Sequence, residues 1–507
     1  MKIYHKEDFL EKYRIYILIL ILLFGLSLRL HFFMGNWASD GMGYAKDAYE
    51  ISTGTFDISH PHFIESFRHT INVPTAVFYY LFGVNECTSI ITPLLYSLGS
   101  IILIFFIGQM MFNTKVALLS SFLLSFFPLN VIHSTSLLSD IVVPFFMALS
   151  VFFFLKPEYK LIKKPHILYF SAGIFFGLAY ITKLNGLLIG VFFISQKFIN
   201  LYTKKETFRK TISSLFFLFL GFSLILIAES SYHYTKTGDA LFRMHYPGYS
   251  STLKDDLLNN EIFPSSDGLN IFFLPRYVFL KEHSFFDFGF FYQFIFVALI
   301  SLLLFHSRLN KNVLLWFFSI FLYYELGTSS LNSYNLIIKL PRYFSVLTTP
   351  GLLILSYFLI NLPNLYKKRK DLLIFLSYIV IVFLLVTSIL AISIVHSWVP
   401  SKQFNVKYKP VANFFEGLEK KEIFVFTGKW DYLEYLLKFE WDVRYLWDIS
   451  NVNKISDAYL IIDRRIIKEK LKYNDEFINN HISAKWILLK KFTEPEMKKN
   501  NNEPVEV

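Results

Sequence analysis

Four ionisable residues of this 507-residue chain stand where long apolar segments begin or end: Asp40, Asp140, Lys183 and Arg342. A carboxylate there can take a proton from a reacting group, and a cation can stabilise a developing negative charge. Each also has an ordinary explanation. Asp40 and Asp140 suit helix N-termini, and the basic side chains suit anchors that extend to a membrane interface. Their common placement at segment ends makes them candidates for one site.

The composition is that of a polytopic membrane protein. Hydrophobic residues make up 54% of the chain and charged residues 18%, whereas soluble domains carry about 25% charged residues. The mean hydropathy of +0.43 means that most of the chain does not face water. The net charge of +11 must therefore be placed relative to a bilayer, and it does not indicate nucleic-acid binding. The single cysteine, Cys87, excludes an intramolecular disulfide and a cysteine-built metal site.

About eleven apolar segments are long enough to be membrane spans. The first follows a basic lead and has no cleavage site of small residues, so we expect a span rather than a cleaved signal. The predicted spans are 15–34, 88–112, 115–133, 140–155, 166–182, 186–201, 211–231, 287–306, 313–331, 342–362 and 371–396. Residues 71–86 are interpreted as an additional re-entrant or interfacial segment.

Lysine and arginine are divided unevenly between the two sides, and this predicts the orientation. With residues 1–14 in the cytoplasm, the loops on that side carry 19 Lys and Arg, whereas the longer loops on the other side carry nine. We therefore expect a cell-membrane protein with a cytoplasmic N-terminus, outer loops at 35–70 and 232–286, and an extracytoplasmic C-terminal domain. The four ionisable residues then lie at the outer interface, where charges cost less than inside the bilayer.

The character of the chain changes near Trp398. We predict a transmembrane module over residues 1–396, a small α/β domain over 397–497 and a disordered tail over 498–507. Within the α/β domain the predicted strands are 422–426, 457–463 and 486–489, and the predicted helix is 431–439. The fold class is thus an all-α polytopic membrane protein with about eleven transmembrane helices and a small C-terminal α/β extracytoplasmic domain.

The first outer loop begins with a predicted amphipathic interfacial helix. Tyr44, Ala48 and Ile51 fall on one face of this helix. Asp40 then stands at an N-cap-like position just before it, so helix capping and catalysis are equally good interpretations of that residue.

Two histidines follow in the same loop as a His60-Pro61-His62 sequence. Together with Glu65 and Asp40 they have the donor types of a metal site. Histidines in a proline-containing interfacial loop are also explained by solvation. A divalent cation is therefore left open as a cofactor.

The run from Asp40 through Tyr44, Ala48 and Gly54 resembles the first-loop signature of the GT-C membrane glycosyltransferases. The nearest branch uses dolichyl- or polyprenyl-phosphate sugars and includes protein O-mannosyltransferases and lipid A aminoarabinose transferases. Its pattern is matched in order by Arg68, Phe82-Gly83, 119–128, Ser139-Asp140, 177–183 and Arg342-Tyr343, so the resemblance spans about residues 15–360. O-mannosyltransferases usually carry an acidic pair in the first loop, whereas here Gly41 follows Asp40.

The resemblance implies a role for each matched residue. Asp40 would be the catalytic base, and Asp140 a second acidic residue near the donor. The residues that it implies for holding the donor phosphate are Arg68, Lys183, Arg342 and Tyr343, with Tyr44 and Glu65 in supporting positions.

The resemblance also implies a reaction. A hexosyl or pentosyl group would move from polyprenyl or dolichyl phosphate to a glycan, lipid or protein acceptor on the outer face of the membrane. One base and one leaving group require a single displacement, which inverts the anomeric centre. The implied partners are the lipid-linked donor, the acceptor and the lipid bilayer, without nucleic acid.

Other classes of function stay open. A lipid-linked glycan flippase or another transporter commonly shows repeats and midplane ionisable residues, whereas this chain shows no evident repeat and has its ionisable residues at the outer ends. A polysaccharide ligase or polymerase would use similar outer loops with a lipid-diphosphate glycan. A non-catalytic relative would use its C-terminal domain as a binding module.

Overall fold

The computed structural model of the protein is mainly helical, with a five-stranded sheet formed by its C-terminal part. It describes residues 9–36, 39–62, 64–246, 272–304, 310–328, 334, 336–337, 339–365, 369–398, 400–426, 430–446, 455, 457–463, 486–492 and 505–506. The predicted outer loop 232–286 lies outside the described residues between positions 247 and 271.

Nineteen α-helices occur in the described residues. The first ten are α1 (Phe9–His31), α2 (Ser39–Thr53), α3 (His69–Phe82), α4 (Glu86–Met111), α5 (Thr114–Phe126), α6 (Pro128–His133), α7 (Val142–Tyr159), α8 (Pro165–Thr182), α9 (Ile189–Tyr202) and α10 (Phe208–Thr237). The others are α11 (Phe242–His245), α12 (Phe273–Leu280), α13 (Ser284–Phe288), α14 (Phe291–Leu304), α15 (Lys311–Leu326), α16 (Thr348–Leu365), α17 (Lys370–Ser397), α18 (Pro400–Phe415) and α19 (Trp430–Leu436). Short 3₁₀ helices cover Ile64–Phe67, Leu184–Leu188 and Pro341–Leu347.

Eight segments of the described chain are helical, long and apolar enough to cross a membrane. They are α1, α4, α7, α8, α10 and α17, together with the continuous segments Leu184–Tyr202 and Pro341–Asn364. The predicted fold class, a multi-pass helical membrane protein with a small C-terminal α/β part, is therefore confirmed.

Three of the eleven predicted spans are shorter than expected. The predicted span 115–133 is divided into α5 and α6 at Pro128, which has no N–H to continue the hydrogen-bond ladder of α5. The span predicted at 287–306 holds the 14-residue α14, and the one predicted at 313–331 holds the 16-residue α15. The described backbone leaves the helical conformation at Gly289 and Gly327, inside these apolar segments, so the sequence overestimated the helix lengths.

The chain separates into two compact units. The larger consists of Met1–Met34, Asp57–Pro74 and Ile90–Trp398. The smaller consists of Gly35–Phe56, Thr75–Ser89 and Val399–Val507, so the start of the first outer loop clusters with the C-terminal part of the chain.

The backbones of helices α8 and α10 in the larger unit approach each other closely at two glycines, Gly173 and Gly221. A Cβ atom on Gly173 would lie 1.9 Å from the carbonyl oxygen of Leu218, and one on Gly221 would lie 2.1 Å from that of Phe170. Close backbone approach at small residues is a common way for membrane helices to associate, since lipid gives no hydrophobic driving force between them.

Replacing Gly173 with alanine is expected to lower the thermal stability of the purified protein. The added methyl group meets backbone rather than a flexible side chain, so the two helices must separate, at a cost of about 1–3 kcal/mol. Thermal unfolding of detergent-solubilised protein measures this. Gly417→Ala is the control, because a Cβ atom there meets nothing within 4 Å; equal melting temperatures for the two variants would contradict the prediction.

The smaller unit contains the sheet with α2 packed against α19. Lys46 of α2 forms a salt bridge of 3.0 Å with Glu434 of α19, and the ring of Tyr49 contacts that of Phe439 at 5.3 Å. The sheet has the strand order β2-β1-β3-β5-β4, with β1 (Ile423–Phe426) paired in parallel with both β2 (Val443–Tyr445) and β3 (Tyr459–Asp463). The apolar run of β1 fits an internal strand that pairs with a parallel neighbour on each side.

Two expectations about the C-terminal region were wrong. The third strand predicted at 486–489 is irregular backbone, and strand β4 lies instead at Lys491–Phe492. Val505–Glu506, inside the predicted disordered tail, forms β5 and pairs antiparallel with β3 and β4. Backbone pairing outweighs the polar composition of the tail at those two residues.

Candidate functional site

Asp140 is the centre of a buried charge cluster in the larger unit. Its carboxylate is 2.9 Å from the Lys183 ammonium and 3.8 Å from Nε of Arg342, and its side chain is only 3% exposed. Residues from three separate parts of the chain thus meet at one carboxylate. The sequence predicted Asp140 as the first residue of a span, but it precedes α7, which begins at Val142.

Backbone geometry at the ends of two helices presents the basic residues of this cluster. Lys183 follows the last residue of α8 in an extended conformation, and the chain then turns sharply through Gly186, where a Cβ atom would lie 2.3 Å from the Ala179 carbonyl oxygen. Arg342 and Tyr343 lie in the 3₁₀ helix that Pro341 begins. The Lys183 ammonium lies 4.2 Å from the ring centroid of Tyr343, a cation–π contact.

Charge balance keeps Asp140 ionised despite its burial. Burial alone would raise the pKa of the Asp140 carboxyl, but the charges of Lys183 and Arg342 outweigh it and hold that pKa well below its usual range. The two cations are partly accessible, with side chains 15% and 30% exposed. One buried anion thus positions two cations, and the three charges together leave a net positive charge.

Arg68 adjoins the same cluster through a neighbouring residue. Its guanidinium donates to Ser139 Oγ at 3.2 Å and lies 3.7 Å from the Glu65 carboxylate. Arg68 and Glu65 are both buried. The structure therefore brings together Arg68, Asp140, Lys183, Arg342 and Tyr343 of the predicted site, with Glu65 as a partner of Arg68.

Asp40 and Tyr44 belong to the smaller unit. Asp40 lies in the first turn of α2, which begins at Ser39, so the expectation that it precedes the helix as an N-cap was wrong by two positions. Asp40 is partly exposed. Tyr44 and Ala48 are buried, but so are residues 41–43, 45 and 47, so burial of α2 is not confined to the predicted face. An acid in the first turn is favoured by the helix dipole.

The two histidines predicted as metal ligands, His60 and His62, belong to the larger unit. His60 is exposed and pairs with Asp57 at 3.1 Å, and His62 is exposed too. In the smaller unit the carboxylates of Asp47 and Glu50 approach within 4.8 Å. Asp47 is buried, and two adjacent carboxylates have the donor chemistry that a divalent cation requires.

His133 is a site residue that the sequence did not identify, because it ends a stretch interpreted as a span. It is the last residue of α6 and is buried, with a ring nitrogen, Nδ1, that has no hydrogen-bond partner among the described residues. Burial lowers the pKa of His133 to about 4, with Arg342 and Lys183 adding to the shift and Asp140 opposing it. His133 is thus a neutral neighbour of the cluster at pH 7.

Stability is expected to fall as the pH decreases from 6.5 to 4 because of His133. The unfolded chain binds a proton at this histidine near pH 6.5, whereas the folded protein binds it only near pH 4. The stabilisation by the neutral form is complete above pH 6.5 and is lost as the pH falls through 4, by about 3 kcal/mol. Melting temperatures between pH 7 and 4 measure it; an equally steep decline in His133→Gln would contradict it.

One family model matches part of the chain. It is described as dolichyl-phosphate-mannose-protein mannosyltransferase and matches residues 72–231. The matched range includes Asp140 and Lys183 but begins after the first loop. It therefore does not cover Gly41, which stands where O-mannosyltransferases usually have the second residue of an acidic pair. A search of curated proteins finds no match.

Solved structures of two membrane enzymes have the same fold. ArnT from Cupriavidus metallidurans in the apo state has a TM-score of 0.61 at 12% identity, covering 92% of this chain and 96% of that chain. ArnT bound to undecaprenyl phosphate has a TM-score of 0.54 at 13% identity, covering 84% and 85%. The oligosaccharyltransferase of Archaeoglobus fulgidus in complex with Zn and sulfate has a TM-score of 0.54 at 13% identity, covering 84% and 62%.

These similarities confirm the predicted resemblance in fold. Both enzymes are GT-C glycosyltransferases, and the present chain has the GT-C fold over most of its length. The chain spans less than two thirds of the archaeal oligosaccharyltransferase, 62 to 65% of its length in the two structures compared.

Proposed function

We propose that this chain, which has the fold of the GT-C membrane glycosyltransferases, transfers a sugar from a polyprenyl phosphate to an acceptor at the outer face of the membrane. The observation that carries the proposal is the cluster of Asp140 with Lys183 and Arg342, which holds two cations around one buried carboxylate.

The cluster suits a phosphate that becomes a leaving group. Lys183 and Arg342 carry two positive charges against the single negative charge of Asp140, and both basic side chains are partly accessible. Fixed cations in a low-dielectric place stabilise negative charge as it develops, without reorganisation during the reaction. That ArnT has been crystallised with undecaprenyl phosphate supports a lipid phosphate as the ligand.

The chemical step needs a base as well as a leaving group. The acceptor hydroxyl oxygen forms a bond to the anomeric carbon while the bond from that carbon to the phosphate oxygen breaks. We assign the hydroxyl proton to Asp40, on the resemblance of the first loop and the partial exposure of this residue. A single displacement of this kind gives the inverted anomer.

A divalent cation is a separate part of the proposal. Asp47 and Glu50 would hold it, on the approach of their carboxylates within 4.8 Å. The archaeal oligosaccharyltransferase in complex with Zn and sulfate supports testing for a metal. Metal analysis of the purified protein, compared with Asp47→Asn, tests this point; no step of the transfer described above depends on it.

The orientation is expected to be cytoplasmic for the loop before α17 and extracytoplasmic for the C-terminal domain. In a Cys87→Ser background, a cysteine at Lys420 should react with a membrane-impermeant reagent in intact cells, and one at Lys370 should not. Lys420 is exposed on its unit, with 63% of its side chain accessible, so failure to label would reflect sidedness. The reverse labelling pattern would contradict the orientation.

The function can be tested with the purified protein in nanodiscs. A panel of polyprenyl-phosphate sugars supplies the donors, and membrane extracts supply the acceptors. Release of polyprenyl phosphate with a new glycoside supports the proposal. Turnover only with a lipid-diphosphate oligosaccharide would favour the ligase or polymerase. Movement of the lipid-linked sugar across the bilayer without transfer would favour the flippase.

A further inference from the structure

A small cavity near the charge cluster in the larger unit is lined by five polar and five apolar residues. Its polar lining consists of Ser100, Asn130, Ser345, Thr348 and Thr349. Ile141, next to Asp140, also lines it, and Ser345 is two residues from Tyr343. The cavity encloses about 10 Å³ of free space, which is room for one water-sized group.

The Asn130 side chain has a fixed orientation at this cavity. Its amide oxygen accepts from Arg29 at 2.5 Å and from Ser97 Oγ at 2.6 Å. These two donors identify that atom as the oxygen. The amide nitrogen makes no hydrogen bond to any residue in the described part of the chain, although Asn130 lines the cavity. Its two N–H donors therefore remain available to a ligand.

Arg29 is held in turn by the broken helix that carries Asn130. Pro128 ends α5 early, which leaves the Ser125 carbonyl without an intrahelical partner, and Arg29 donates to that carbonyl at 3.1 Å. Arg29 also donates to Ser97 at 2.8 Å and is fully buried within α1. A cation at the C-terminal end of α5 is stabilised by the helix dipole. The amide of Asn130 is thus oriented by a rigid arrangement, not by solvent.

The chemistry of the cavity is that of a neutral hydroxyl ligand. Its polar lining offers amide N–H and hydroxyl groups and no carboxylate or ammonium. The charged groups suited to phosphate lie in the neighbouring cluster, since Ile141 of the cavity follows Asp140 in the chain and Ser345 is two residues from Tyr343.

We propose that this cavity binds one hydroxyl group of the transferred sugar, with the Asn130 amide nitrogen donating to the hydroxyl oxygen, and that it selects the donor sugar. The inference rests on the proposed function and adds a specificity-determining residue to it. A sugar that lacks this hydroxyl would leave the amide donors and the wall hydroxyls unpaired, which penalises the wrong donor.

The test compares the parent polyprenyl-phosphate sugar with its monodeoxy analogues in nanodiscs. Wild-type protein should use one analogue about 10- to 100-fold less efficiently in kcat/KM. Ser100→Val fills the cavity, and Asn130→Asp removes the N–H donors while an oxygen still accepts from Arg29. In both variants kcat/KM should fall for the parent sugar but not for that analogue. The ratio of kcat/KM between the two sugars should therefore shrink to about threefold or less.

The matched control is Ser171→Val, because Ser171 is a partly exposed residue of α8 and its hydroxyl donates to the i−4 carbonyl of its own helix as that of Ser100 does. Discrimination in the two cavity variants equal to that of the wild type would overturn the inference and leave the proposed function standing. Absence of transfer by the wild-type protein would overturn both.

Discussion

Replacing Asp40 with asparagine is expected to lower the turnover of polyprenyl-phosphate sugar by about 10³-fold. An amide cannot take the proton of the acceptor hydroxyl, so the attacking oxygen must form its bond to carbon while still protonated. The loss should appear in kcat at saturating donor, because Asp40 is not assigned to phosphate binding. Steady-state transfer rates at several donor concentrations measure both parameters.

Folding effects can be separated from this loss. Asparagine suits a helix start almost as well as aspartate, so the melting temperature of Asp40→Asn should stay close to that of the wild type. Asp239→Asn is the control, since Asp239 pairs with His245 at 2.7 Å elsewhere on the surface. Full activity in Asp40→Asn would remove this residue as the base.

Replacing Asp140 with asparagine is expected to lower both stability and activity. The change leaves Lys183 and Arg342 without the anion that holds them, and removal of one member of a buried ion pair costs about 3 kcal/mol. Activity should fall at least 100-fold, because cations that are no longer fixed stabilise the leaving phosphate less well. Thermal unfolding and transfer assays on the same preparation measure the two effects.

A double variant distinguishes the two roles of the cluster. Lys183→Met combined with Asp140→Asn removes one charge of each sign, so part of the stability lost in Asp140→Asn should return. Activity should not return, because the cation itself is absent. Recovery of transfer in the double variant would mean that the cluster is only structural.

The fold could be predicted in outline because it follows from composition. Long apolar segments predicted the membrane helices, and the largely apolar run 422–426 predicted an internal strand of the sheet, β1. Segment ends were less predictable. Pro128 divides one predicted span into two helices, and the two-residue strands β4 and β5 depend on pairing between distant segments that no local pattern encodes.

The site could be predicted as a set of residues but not as an arrangement. Asp140, Lys183 and Arg342 were identified as charges at segment ends, and Arg68 by its match to a family pattern. The sequence did not indicate that Asp140 would contact both cations, because these contacts join positions more than 40 residues apart. His133 and Asn130 were missed, since a polar residue inside an apolar stretch carries no periodic signal.

The packing of α2 on α19 has a consequence for how parts of such proteins can be exchanged. The C-terminal domain is not a detachable appendage, because Lys46 and Tyr49 of the first loop contact it, and Glu86 receives a hydrogen bond of 3.4 Å from Tyr432. A chimera that took only residues 399–507 from a relative would leave those contacts mismatched. A chimera that keeps these contacts has to take the domain together with segments 35–56 and 75–89.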